Sequence, residues 1–94
     1  MILQNEYLIM VIIISDRSDS IAKGIMDKIK RGVTFLYGRG AFSGKRKKVL
    51  LTIVNNYQIK RLEEVVFSID LDAFFITDST FNVIGKGFSR RKMY

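Results

Sequence analysis

The residues best suited to chemistry lie in one stretch, Gly38-Arg39-Gly40-Ala41-Phe42-Ser43-Gly44-Lys45-Arg46-Lys47-Lys48. Glycines let backbone amides approach an anion closely, and arginine and lysine supply charge to hold it. Arg39, Lys45 and Arg46 are the expected charge donors, and Gly38, Gly40 and Gly44 the expected points of backbone approach. Upstream, Ser15 and Ser18 offer hydroxyls where an apolar run ends and a helix begins. The first amides of a helix also attract anions. These eight residues form the candidate ligand site. The competing reading is a solvated hairpin tip in which Asp70 and Asp72 pair with the cations, as exposed ion pairs of little net value.

Other chemistries fail on composition or spacing. The chain has no cysteine and no histidine, which removes disulfides, thiolate nucleophiles, imidazole bases and the usual zinc sites. Gly40-Ala41-Phe42-Ser43-Gly44-Lys45 resembles a P-loop only at first sight. Its glycines are one residue too close, Arg46 replaces the hydroxyl residue that binds magnesium, and a strand rather than a helix follows. Asp16, Asp19, Asp70, Asp72 and Asp78 fall in turns or at helix ends, where capping and dipole compensation account for them. No nucleophile is paired with a base. The expectation is a protein that is not an enzyme and needs no metal or cofactor.

The formal charge of +7 over 94 residues is unevenly placed. Residues 1–38 carry +1, 39–48 carry +5, 49–85 carry −3 and 86–94 carry +4. Positive charge is thus concentrated in one internal loop and one tail, which favours anionic partners: phosphate ligands, nucleic acid or an anionic membrane surface. The longest apolar run, Tyr7 to Ile14, is far below the roughly 18–20 residues that span a bilayer. It also lacks the features of a signal peptide. The chain reads as one soluble domain, residues 1–94, with a basic tail from about residue 89.

The elements that must position the site follow from periodicity. Tyr7 to Ile14 is a continuous, β-branched run, the profile of a central strand. Ser18, Asp19 and Ser20 offer N-cap oxygens for a helix whose stripe is Ile21, Ala22, Ile25, Met26 and Ile29, with Gly32 as its stop. Gly24 lies in that stripe, where a close packing contact would explain it. Val33 to Tyr37 alternates as a second strand, with Phe35 and Tyr37 on one face, and Val49 to Val54 forms a third. Gln58 to Ile69 is a second helix, Ala73 to Thr77 a fourth strand, and Val83-Ile84 a short edge strand. No repeat, linker or proline interrupts the order.

The order β-α-β-β-α-β is the split βαβ, or ferredoxin-like, arrangement of an α+β protein. A right-handed crossover leaves room for the third strand between the first two, so the expected antiparallel sheet order is 4-1-3-2 with both helices on one face. The other face is expected to carry aromatics and to be solvated or covered by a second subunit, which makes a homo-oligomer the expected assembly. This topology gathers the end of the first strand, the start of the first helix, the glycine-basic loop, Asp70 and Asp72 at one end of the sheet. The fold and charge also permit an RNA-recognition module using Phe35 and Tyr37, but the full aromatic pattern is missing, so nucleic acid is disfavoured.

Ile13-Ile14-Ser15-Asp16, Arg31-Gly32-Val33-Thr34, Gly38 to Gly44, Lys47-Lys48-Val49-Leu50, Ile69 to Phe74 and Val83 to Phe88 together resemble the C-terminal domain of YitT-type bacterial membrane proteins. The match runs from about Tyr7 to Phe88. Phe42 stands where the family often has tyrosine, and Leu71 where it often has proline. The resemblance implies a domain of unknown function on the cytoplasmic side of the cell membrane, attached to N-terminal transmembrane helices. On that basis the chain reads as an excised domain or a truncated relative. It also implies a PII-like fold, related to signalling proteins that bind nucleotides with a long loop between the second and third strands, here Gly38 to Lys47. The nucleotide motif of those proteins between the second helix and fourth strand has no counterpart, since only Asp70-Leu71-Asp72 fills that space.

The combined expectation is a regulatory or ligand-sensing domain of a membrane protein, taking an anionic small ligand or nucleotide at the 38–48 loop. The alternatives are a structural, oligomerising domain resting on anionic membrane, and an RNA-binding module.

Overall fold

The computed structural model describes residues 5–82 and 84. Four strands and two helices alternate: β1 (Leu8–Ile14), α1 (Ser18–Gly24) with a π-helical continuation (Ile25–Ile29), β2 (Thr34–Arg39), β3 (Arg46–Asn55), α2 (Ile59–Ile69) and β4 (Phe74–Asp78). The sheet order is β2-β3-β1-β4 with every pairing antiparallel. This is the expected 4-1-3-2 α+β arrangement read from the other edge. Val83 and residues 85–94, which include part of the expected edge strand and the basic tail, lie outside the described residues.

The central place of β1 follows from its uniform apolarity. Ile9, Val11 and Ile13 face the helices and are buried together with Leu50 and Val54 of β3, Ile21 and Ile25 of the first helical segment, and Leu62 and Val66 of α2. Thr52 sits in the same layer, and its hydroxyl donates to the Gly32 carbonyl at 2.9 Å. That bond satisfies a buried polar group and ties β3 to the approach to β2. Gly24 is where the two helices press together: an added Cβ would lie 3.0 Å from Val65 Cγ1 and 3.4 Å from Ile69 Cδ1.

The first helix departs from expectation at both ends. Arg17, not a serine, occupies the N-cap, and no side chain caps the helix. At the other end the chain leaves the helix at Lys30, in the left-handed conformation (φ 64°), two residues before Gly32. The Lys30 N–H bonds the Ile25 carbonyl five residues back at 3.1 Å. Ile21, Ile25 and Ile29 are all buried at a strict spacing of four. In an α-helix that spacing drifts around the axis, and the wider π turn reverses the drift, so the stripe stays aligned on the sheet.

The β2–β3 connection is also corrected. β2 runs on to Arg39 and β3 begins at Arg46, with Arg39 opposite Arg46. The expected long loop from Gly38 to Lys48 is a ribbon closed by a tight turn, in which Gly40 N–H bonds Lys45 O and Gly44 N–H bonds Gly40 O, each at 2.9 Å. Gly44 has φ +72°, which explains a glycine there.

The second sheet face is mainly aliphatic, with Phe74 as its aromatic residue among those paired in the sheet. Phe35 pairs with buried Leu50 and so faces the helices, as does Tyr37 two residues on. The open face is built from Leu36, Val49, Ile14 and Phe74 in one row and Thr34, Leu51, Ile12 and Ile76 in the next, with Ile53 and Met10 beyond. No helix covers it among the described residues; Leu36, Phe74 and Ile76 are exposed.

Candidate functional site

The topology brings the expected elements to one end of the sheet. The turn after β1 and the start of α1 (Ser15 to Ser20) line an open cleft of about 470 Å³ with Arg46, Lys47 and Lys48 at the start of β3. A second open cleft runs over Tyr37, Gly38 and Arg39 to the same three β3 residues. Arg46 lines both clefts, with Arg17 across one and Arg39 across the other.

Both serines line the first cleft, and their hydroxyls have partners within the protein. Ser15 Oγ donates to the Asp70 carboxylate and accepts the Arg17 N–H at 2.8 Å. Ser18 is buried, with its Oγ 2.8 Å from the Ser15 carbonyl and 2.6 Å from the Lys48 carbonyl, so its proton is spent inside the protein. Both hydroxyls tie the site's framework together, Ser15 to α2 and Ser18 to β3. The start of α1 is likewise compensated by Asp19 in its first turn.

Acids do pair with cations here, but not the pair expected. Lys48 Nζ lies 2.9 and 3.0 Å from the two Asp19 oxygens, and Lys47 Nζ lies 3.9 Å from Asp16 Oδ1. The Asp19 hydrogen bond, aided by its charge, raises the Lys48 ammonium above its ordinary range. The same ammonium sits 5.3 Å from the centroid of the Phe35 ring. Asp70 is held below the usual carboxylate range, first by the Ser15 hydroxyl, then by the Asp72 N–H, with Arg17 adding attraction. Neither Asp70 nor Asp72 is bridged to a lysine or arginine among the described residues.

Arg17, Arg39, Lys45 and Arg46 therefore have no carboxylate partner among the described residues. Of the eight expected residues, Arg39 and Arg46 come together, Gly38 lies beside them in the second cleft, and Lys45 sits at the turn, lining neither cleft. Gly40 and Gly44 serve the turn: a Cβ on Gly40 would meet Ser43 Oγ at 2.6 Å. Arg17 was missed, although its place directly after Ser15-Asp16 marks it as lying at the same end. Tyr37, expected as a core or interface residue or as a stacking ring for RNA, has an exposed ring that flanks Arg39 and Lys48. No cluster of three potential metal ligands occurs among the described residues.

Among the described residues, exposed guanidiniums of Arg17, Arg39 and Arg46 stand at the rims of the two clefts. A family model described as "Uncharacterized protein conserved in bacteria (DUF2179)" matches residues 31–85, which contain β2, the cationic turn, β3, α2 and β4. The UPF0750 membrane protein YxkD of Bacillus subtilis is 32% identical over 78 residues, covering 83% of this chain and 28% of the relative. YitT of the same organism is 29% identical over 73 residues, covering 78% and 26%. The chain thus spans just over a quarter of the length of these membrane-protein relatives, and no helix among its described residues is long and apolar enough to cross a membrane. A crystal structure of a DUF2179 protein from Eubacterium ventriosum superposes with a TM-score of 0.67 at 25% identity, over 76% of this chain and 97% of that one. By sequence and by fold, the chain belongs to the DUF2179 family and is the domain that YitT-type membrane proteins share.

Proposed function

We propose that this chain is a non-enzymatic regulatory domain on the cytoplasmic side of a membrane protein, and that it senses an anionic small ligand such as a nucleotide. The observation carrying this reading is that Arg17, Arg39 and Arg46 frame two adjoining clefts while the neighbouring lysines, Lys47 and Lys48, are already paired with Asp16 and Asp19. Unpaired guanidiniums match phosphate and carboxylate oxygens in pairs of parallel hydrogen bonds. The Gly40–Lys45 turn adjoins Arg39 and Arg46 directly, so a bound anion changes the charge and order of the ribbon tip, and through it the contacts with the rest of a parent protein. RNA binding is less well supported, because Phe35 packs against the core and leaves Tyr37 as the exposed ring on β2.

The test is a thermal-shift titration with ATP, pyrophosphate and inorganic phosphate, run on wild type and on an Arg17→Ala/Arg46→Ala double variant. A ligand present at a hundred times its dissociation constant adds about 2.7 kcal/mol. A rise in melting temperature for wild type, absent in the double variant, supports the reading. No rise with any of the three probes removes it.

A further inference from the structure

The open sheet face is too apolar for water and too evenly built to be incidental. In antiparallel sheets with one solvated face, polar residues alternate with apolar ones. Here β1 is apolar on both faces, and the outer row Leu36–Val49–Ile14–Phe74 crosses all four strands without a polar side chain. We infer that this face binds a second copy of the same chain, sheet against sheet, about a two-fold axis that runs parallel to the strands between β3 and β1.

The register selects that axis. A rotation of this kind exchanges the outer strands β2 and β4 and the inner strands β3 and β1 while keeping each row at its own level. Leu36 then faces Phe74 of the partner subunit, Val49 faces the partner's Ile14, Leu51 faces the partner's Ile12, and Ile53 faces the partner's Met10. Thr34, in the second row of β2, faces the partner's Ile76 through its methyl group or hydroxyl; every other pairing is apolar, and each is made twice, as an isologous interface requires. One level further along, Lys47 and Asp16, two residues before Val49 and two after Ile14, form a bridge of 3.9 Å within the chain. The same rotation sets Lys47 against the partner's Asp16, so the charged rim is complementary as well. At the opposite corner Asp78, paired with Met10, lies beyond the last paired residue of β2, Thr34. A two-fold axis perpendicular to the strands would instead turn the Leu36–Phe74 row onto the row that ends in Asp78.

Size and charge sign argue for the same occupant. Strands about 4.8 Å apart and side-chain rows about 6.8 Å apart give a face of roughly 400 Å² in plan, so two copies remove on the order of 1,000 Å² from water. That is the lower bound of a specific interface, suited to copies already held close together by a membrane. A lipid surface fits less well. Membrane-binding faces are rimmed by cations, whereas the groove at the Phe74 edge of this face contains Asp16, Asp70 and Asp72 beside Arg17 and Lys47.

The experiment combines sedimentation equilibrium of the 94-residue chain with site-directed cross-linking. Wild type should show a concentration-dependent monomer–dimer equilibrium, and Phe74→Asp should weaken it by about tenfold or more. Phe74 is exposed in the single chain, so circular dichroism should show the variant folded. The absence of native cysteine makes Leu36→Cys/Phe74→Cys a clean cross-linking pair. Within one copy these outer strands lie about 14 Å apart and facing sheets about 10 Å apart. A bis-maleimide of the shorter reach should therefore link two copies of the double variant and neither single variant. A chain that stays monomeric at every concentration overturns the inference and leaves the face to residues 85–94 or to lipid. A trimer, or cross-linking by a single variant, overturns the axis. None of these outcomes depends on whether an anion binds Arg17 and Arg46.

Discussion

The Ser15 hydroxyl donates to the Asp70 carboxylate across 55 residues of sequence, fastening the end of β1 to the end of α2. This contact closes the end of the sheet that carries the cationic clefts. It also makes the framework sensitive to acid.

The Asp70 carboxyl is depressed in the folded protein, chiefly by Ser15. A depressed carboxyl contributes stability that is present above its unfolded value, near pH 4, and is lost as pH falls through the lower folded value. Stability should therefore decline below about pH 4. Ser15→Ala should flatten that decline, as followed by circular dichroism during acid titration. An acid limb unchanged in Ser15→Ala would show that other carboxylates govern it.

Two glycines of the ribbon separate by what each position demands. Gly44→Ala should cost about 1–2 kcal/mol, because φ is positive and a Cβ there is strained. Gly38→Ala should be neutral or slightly stabilising, since no atom lies within 4 Å of the added carbon and φ is ordinary. Urea melts of the two variants check the contrast.

At Gly24 the demand is space. Gly24→Leu must push apart Val65 and Ile69, and should cost about 1–3 kcal/mol as overpacking. A urea midpoint unchanged from wild type would mean that the helices are free to separate.

Salt should act in opposite senses on the two proposals. Anion binding at Arg17, Arg39 and Arg46 should weaken as salt rises, because exposed charges are screened. The two-fold axis along the strands puts both cationic ends at the same end of the pair, so screening should strengthen dimer formation. Ligand titration by calorimetry and sedimentation, each at low and high sodium chloride, measure the two slopes.

The fold was legible because its signals are local. The Tyr7–Ile14 run marked the central strand, the Ile21–Ile25–Ile29 stripe marked the first helix, and a glycine-basic turn directly joining two strands disfavoured a parallel sheet. Strand ends in the ribbon were not legible, because charged residues such as Lys47 and Lys48 score poorly as strand formers until a partner strand fixes them. Ser18 and Ser15 both read as ligand hydroxyls, and Ser18 also as a helix cap. Their hydroxyls answer to Lys48 and Asp70, thirty and fifty-five residues away, and no local pattern encodes that allegiance. The cations were visible, but which of them are free depends on Asp16 and Asp19 choosing Lys47 and Lys48.

The hairpin that carries Arg39 and Arg46 has a mechanical meaning as well. β1 pairs with β3 only as far as Val49, whereas β2 and β3 stay paired out to Arg39 and Arg46. Ser18 and Asp19 of α1 still hold Lys48, so the two pairs beyond it, Gly38 with Lys47 and Arg39 with Arg46, project as a two-stranded cantilever roughly 7 Å long, at about 3.4 Å per residue. Its root is the Tyr37–Lys48 pair, beside the Leu36–Val49–Ile14 row. A force on the tip becomes a torque on that row, which is the seam between the helix-covered core and the open face.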